Sequence, residues 1–184
     1  PVQSGSNKIL QEMNRKHSIK EYLSVIQKIK KAKPNIEFSS DFIIGYPGET
    51  CDDFQKTIEL INNVKFINSY SFIYSARPGT PAYYLKNINH DNAKTRLKEF
   101  QKTAEKIKSK YRNKLINKMS SVLFENKTKY KNEYFGRDEY FNSVIVKSES
   151  DLIGKTKYIK VLKVNQNTLF GEVVSNLSQK NYAA

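Results

Sequence analysis

The sequence holds one cysteine, Cys51, no tryptophan, and only five prolines and seven glycines in 184 residues. A lone thiol excludes an internal disulfide, and it excludes any zinc or iron–sulfur centre built from this chain's thiolates alone. No run approaches the roughly 20 apolar residues that cross a bilayer. The first residues lack the charged-then-apolar layout of a secretory leader, so the expected location is the cytoplasm, with no membrane partner. Acidic residues are scarce too: 18 Asp and Glu face 32 Lys and Arg, a net charge of +14. Such an excess points to a polyanionic partner, RNA above all; a lysine-rich solvated surface is the plain alternative. The excess is uneven, with 22 basic and 11 acidic residues over 1–120, and 11 basic against 3 acidic over 86–118. What the chain does have is 12 Tyr and 10 Phe within a 38% apolar composition, enough for a packed core.

Local patterns divide the chain into two kinds of structure. Ser18 and Glu21 have capping-box spacing, and Ile19, Tyr22, Leu23, Ile26 and Ile29 then share one face, which predicts a helix over about 18–32 that stops at Pro34. Residues 36–44 read as a strand ending in the turn Gly45-Tyr46-Pro47-Gly48. Thr50 is placed to cap a following helix, with Asp52 and Asp53 in its first turn and Phe54, Ile58 and Ile61 as its buried stripe. Tyr70, Phe72 and Tyr74 then alternate with small residues, as in a strand. Strand, helix and strand at this spacing predict a parallel βαβ unit, whose ligands sit beyond the strands' C-terminal ends. A single apolar stripe from Asp91 to about Met119 predicts one long, lysine-rich helix. Short β runs follow at 122–124, 143–147, 158–164 and 168–174. The expected architecture is an α/β partial TIM-like barrel over residues 1–120, then a small all-β barrel over 121–184.

Several of these segments also carry a resemblance. Pro1-Val2-Gln3-Ser4-Gly5-Ser6, Met13-Asn14-Arg15, Ser40-Asp41-Phe42-Ile43-Ile44-Gly45-Tyr46-Pro47-Gly48-Glu49-Thr50 and Tyr74-Ser75-Ala76-Arg77-Pro78-Gly79-Thr80-Pro81-Ala82 resemble successive signatures of the radical S-adenosylmethionine methylthiotransferases. The β segment resembles their TRAM domain, an OB-like RNA-binding barrel. Of the family's branches, Tyr74-Ser75-Ala76-Arg77-Pro78-Gly79-Thr80 is most similar to the one acting on isopentenylated adenosine beside the tRNA anticodon; the ribosomal-protein branch has an acidic pair where Ala76-Arg77 stands, and a third branch acts on threonylcarbamoyl adenosine. The resemblance implies insertion of a methylthio group at the adenine C2, with S-adenosylmethionine and two 4Fe-4S clusters as cofactors and tRNA as partner. It implies no catalytic or metal-ligating residue in this chain, because the cluster cysteines of the family have no counterpart here. A truncated product, a non-catalytic RNA-binding remnant, a subunit completed by a separately encoded N-terminal half and an incomplete sequence all remain open.

By the same resemblance Gln3 would bond the ribose of S-adenosylmethionine, Arg15 its carboxylate, and Asp41 a ribose hydroxyl or the ammonium group, with Ser75 near the adenine. A guanidinium fork suits a carboxylate, and short polar side chains on strand ends suit a diol. Gly45 and Glu49 are further candidates, in a turn that lets backbone groups come close to a ligand. Cys51 is expected to be a packed residue without a chemical role, and His17 and His90 surface residues. For RNA the candidates are Lys94, Arg96, Lys98, Lys102, Lys106, Lys108, Lys110 and Arg112 on the long helix, and Arg137, Lys155 and Lys157 on the β domain. Tyr134, Phe135, Tyr140 and Phe141 are candidates for stacking on unpaired bases, about half of them being expected in the core.

Overall fold

A computed structural model describes residues 1–174. The last ten positions assigned above to the β domain, 175–184, therefore lie outside the described residues. The chain divides into two units, Pro1–Lys108 and the part from Ser109 onward.

In the first unit, two capping boxes start the helices that the sequence marks. The Ser18 hydroxyl accepts from the Glu21 N–H at 3.2 Å while the Glu21 carboxylate accepts from the Ser18 N–H at 2.7 Å, which opens α2 (Ile19–Ala32) after the short α1 (Asn7–Glu12). Thr50 and Asp53 do the same for α3 (Cys51–Val64), at 3.1 and 3.0 Å. Each cap satisfies amide donors that the helix cannot, worth about 1 kcal/mol. Between these helices lies β1 (Ser39–Ile44), shorter than the sequence suggests, and after α3 comes β2 (Asn68–Ile73). The two pair in parallel, Ser39 opposite Asn68 through Ile44 opposite Ile73, as a βαβ unit requires. On the other side of β1, Gln3 makes a parallel bridge to Phe42.

Alternation along β1 separates two faces. Phe42 and Ile44 are fully buried and pack with Val2, Phe54, Ile61 and Phe66. Phe42 meets the Phe66 ring edge-on at 5.5 Å and the Phe100 ring at 4.9 Å. Phe100 comes from α4 (His90–Leu115), whose first half thereby covers the core. Asp41 and Ile43 point the other way, in register with Tyr70 and Phe72 on β2, both largely exposed. The sheet thus has one apolar face under helices and one face that can serve a ligand.

The second unit is a closed barrel of five strands, β3 (Met119–Lys127), β4 (Glu133–Asp138), β5 (Ser143–Lys147), β6 (Thr156–Val164) and β7 (Thr168–Val173), in the order β3-β4-β5-β7-β6. All neighbours are antiparallel except β5 and β7, whose parallel pairing lets the sheet close and removes its edges. Val122, Phe124, Tyr134, Val144, Val146, Ile159, Val161 and Leu169 fill the interior. β4 is a strand the sequence hid, because Gly136 lies at its centre. A Cβ there would collide with the Leu123 carbonyl on β3, so glycine is what allows these strands to approach. Among the described residues no helix is long and apolar enough to cross a membrane.

Candidate ligand cavity and nucleic-acid surface

The face of the first unit's sheet that carries Asp41 and Ile43 lines a cavity of about 930 Å³, walled by Gln3, Asp41, Ile43, Tyr74 and Ser75, the α1 exit at Met13, Asn14 and Arg15, and the loop through Arg77 and Thr80. Each polar group is placed by its own local device. Gln3 is held at φ 74° by donating to the Asp41 carbonyl at 3.1 Å and accepting from the Ile43 N–H at 3.0 Å. For a non-glycine residue that conformation is costly, and it persists because the strand bridge fixes it. Arg15 follows a helix end in which Asn14, at φ 55°, donates to the Gln11 carbonyl and Arg15 to the Leu10 carbonyl, both at 2.8 Å. This is the Schellman pattern with asparagine in the left-handed position. Asp41 stands on β1 opposite Tyr70, and Ser75 lies two residues past β2. The side chains of Gln3, Arg15 and Asp41 make no hydrogen bond or ion pair with the rest of the described chain.

An aromatic pair backs these groups. The Tyr46 hydroxyl donates to the Glu12 carbonyl at 2.9 Å, and its ring meets Tyr74 edge-on at 5.0 Å. Burial pushes the Tyr46 phenol above its usual range. The Tyr74 hydroxyl oxygen is itself buried and has no partner among the described residues. An orphaned buried hydroxyl costs on the order of 1–3 kcal/mol, which a partner from outside the described residues would relieve.

Gly45 and Glu49 lie outside the cavity wall. Glu49, with its side chain 1% exposed, accepts from the Gly45 N–H at 3.2 Å and from Arg96 Nη1 at 2.6 Å; the same Nη1 bonds the Glu49 carbonyl at 3.1 Å. Burial pushes the Glu49 carboxyl up, against the pull of Arg96. Gly45, at φ 75°, lies so close to Ala93 on α4 and to Ile88 just before that helix that a Cβ would press on both. Both residues thus fasten the loop after β1 to α4. Asp53 is the other buried carboxylate of the first unit: burial opposes its charge, but bonds from Ser6 Oγ at 2.6 Å and from Thr50, with Lys8 beside it, hold it well below the usual carboxylate range.

For the basic candidates the structure makes two corrections. Arg96 is occupied by Glu49, and Arg112 is buried in spite of its charge, so neither is presented as a free phosphate contact. Sequence spacing cannot separate a paired or buried arginine from a solvated one. Lys94, Lys98, Lys102 and Lys106, by contrast, are exposed at successive four-residue intervals. On the barrel Arg137 is exposed on β4, 3.4 Å from Glu125 and over the Phe135 ring at 5.4 Å. Lys155 is exposed but donates to the Asp151 carbonyl at 2.8 Å, and Lys157 is exposed on β6. Tyr134 belongs to the core, Phe135 and Tyr140 are half-buried, and Phe141 is 76% exposed at φ 60°. Cys51 is exposed at the start of α3, 3.5 Å from Arg96, and not packed as expected. His17 is half-buried beside Tyr22, where a surface position was expected. Among the described residues no group of three or more His, Cys, Asp or Glu could hold a metal ion.

Comparison with known proteins bears on both units. A model of the radical SAM superfamily matches residues 1–61, and a model of the TRAM domain matches residues 114–174. The chain is 51% identical over 180 residues to the tRNA-2-methylthio-N(6)-dimethylallyladenosine synthase of Pelagibacter ubique (strain HTCC1062), a match that covers 98% of the chain and 40% of that relative. Proteins of the same name from Wolbachia pipientis wMel and Ehrlichia ruminantium (strain Welgevonden) are 45% and 43% identical, over 93% and 96% of the chain and 40% of each relative. What the chain is similar to, over nearly its whole length, is part of the methylthiotransferases. The chain spans 40% of the length of these relatives, in their C-terminal part. In methylthiotransferase terms, the cavity lies in the unit whose first 61 residues match the radical SAM model, and the barrel is the TRAM domain.

Proposed function

We propose that this chain supplies the S-adenosylmethionine-binding wall and the RNA-binding barrel of a tRNA methylthiotransferase, the substrate being a dimethylallyl-type adenosine of tRNA. The observation that carries the reading is the cavity, whose wall includes the Asp41 carboxylate, the Arg15 guanidinium and the Gln3 amide, none with a side-chain partner among the described residues, beside the orphaned Tyr74 phenol. Their chemistry matches the ligand. Arg15 is suited to a free carboxylate, which a planar guanidinium holds with two parallel bonds. Asp41 can accept from an ammonium group or a ribose hydroxyl, and the Gln3 amide can both donate and accept at a diol. The cavity also falls within the roughly 300–1,000 Å³ of small-molecule sites.

When bound next to a reducing cluster, S-adenosylmethionine supplies the radical that starts the chemistry. The part of this chain's residues is to hold that molecule in one orientation and to keep water from the Tyr46–Tyr74 wall. A single cysteine cannot ligate a four-iron cluster, so in this proposal the cluster thiolates come from outside these 184 residues. On the barrel, Arg137, Lys155 and Lys157, together with Lys102 and Lys106 of α4, are assigned to RNA phosphates, which position the tRNA without reading its sequence.

The test is a chimera. Joining the chain to the preceding part of the Pelagibacter ubique relative and expressing it in cells that lack the modification should restore methylthiolated adenosine in tRNA, read by mass spectrometry. An Asp41→Ala, Arg15→Ala double variant should not. Full modification by the double variant would remove the cavity from the proposal.

A further inference from the structure

We propose that the loop over residues 77–86, at the mouth of the cavity, is a docking surface for unpaired RNA, with Tyr84 as its stacking platform. The inference rests on the tRNA reading above and adds to it a contact distinct from the barrel. Its first support is where apolar surface is exposed. Of the six large hydrophobic side chains exposed in the first unit, five fall between positions 70 and 85: Tyr70, Phe72, Tyr83, Tyr84 and Leu85, with Tyr84 82% exposed. Soluble surfaces seldom concentrate aromatics in this way without a partner.

The second support is charge. No acidic residue occurs between Glu59 and Asp91, whereas Lys65, Arg77 and Lys86 fall inside that interval. Arg77 lines the cavity, and its side chain bonds no other described side chain. A basic, acid-free rim with exposed rings suits a chain of phosphates and bases better than it suits a protein face.

Local geometry makes the rim a firm platform. The Thr80 hydroxyl donates to the Arg77 carbonyl at 2.8 Å, closing the loop, and Pro81 starts the short 3-10 helix Pro81–Tyr84. Tyr83 and Tyr84 meet edge-to-face at 5.3 Å and 88°, so one ring steadies the other while the Tyr84 face stays open. Thr80, Pro81 and Ala82 of the same turn line the cavity, as does Phe72. A nucleotide stacked on Tyr84 would therefore lie at the entrance through which a neighbouring base reaches the cavity. Stacking needs a base free of its duplex, which restricts this surface to loops and single strands.

The experiment measures fluorescence anisotropy of a labelled single-stranded oligoribonucleotide of about eight nucleotides and of the matching duplex, with the full chain. Tyr83→Ala with Tyr84→Ala should weaken the single strand about tenfold and leave the duplex within about twofold, as loss of one stacked base predicts. Tyr84→Phe should retain wild-type affinity, and a 4-thiouridine oligonucleotide should crosslink within residues 77–86. If the double variant binds the single strand as well as wild type does while Arg137→Ala weakens it, the rim surface is disproved and the tRNA reading survives. A wild-type chain that binds neither RNA would overturn both.

Discussion

Asp53 shows how much one side chain can fasten. Its carboxylate closes the α3 capping box with Thr50 and accepts from the Ser6 hydroxyl that caps α1, so it links two helix starts across 47 positions of sequence. Because the folded chain keeps this carboxyl ionised below its usual range, the unfolded chain binds the proton first as the pH falls. The stabilisation is complete above the ordinary aspartate range and declines as the pH drops below about 4. Asp53→Asn should lower stability by about 1–3 kcal/mol at neutral pH and flatten the acid limb of a plot of denaturation midpoint against pH. An unchanged acid limb would show that other carboxylates set it. The Thr50 cap was readable from residue types, and the family resemblance pointed to Arg15 and Asp41, which both line the cavity. The Tyr74 hydroxyl and the Glu49–Arg96 pair were not legible, because each depends on what burial removes or brings near.

At the scale of elements, periodicity served long segments and failed short ones. α2 and α3 were readable because their caps and apolar stripes agree, and the β1–β2 pairing followed from their spacing. α1 escaped notice since six residues with only Ile9 and Leu10 buried leave no period to see. β4 escaped because glycine and charge mask its alternation, Tyr134, Gly136 and Asp138 facing in while Phe135 and Arg137 face out. The role of Gly136 is open to test: Gly136→Ala should destabilise the barrel by about 1–3 kcal/mol, the range for overpacking, seen as a lower midpoint in urea. An alanine variant of wild-type stability would mean that β3 and β4 can part without cost. The lysine row of α4 is legible as charge but not as function. Like charges four apart cost about 0.2–0.5 kcal/mol per pair, so Lys94, Lys98, Lys102 and Lys106 carry a penalty that a bound polyanion would relieve.

For the whole molecule, the proposed function assigns two ligands to the two units, S-adenosylmethionine to the first and RNA to the second. The charge of +14 sets the second expectation. With about six phosphates neutralised, the logarithm of tRNA affinity should fall against the logarithm of salt with a slope of about −5, and Arg137→Ala should reduce that slope by about one. Lys163→Ala, on the same barrel, should matter less. An affinity indifferent to salt and to Arg137 would leave only a solvated lysine-rich surface. The central claim concerns the first ligand, and isothermal titration of S-adenosylmethionine into the full chain tests it most directly. The account predicts one binding site per chain, weakened about tenfold by Arg15→Ala and by Asp41→Asn separately, as the loss of a charge-assisted bond implies. Binding that both variants leave intact, or no binding at all, would contradict it.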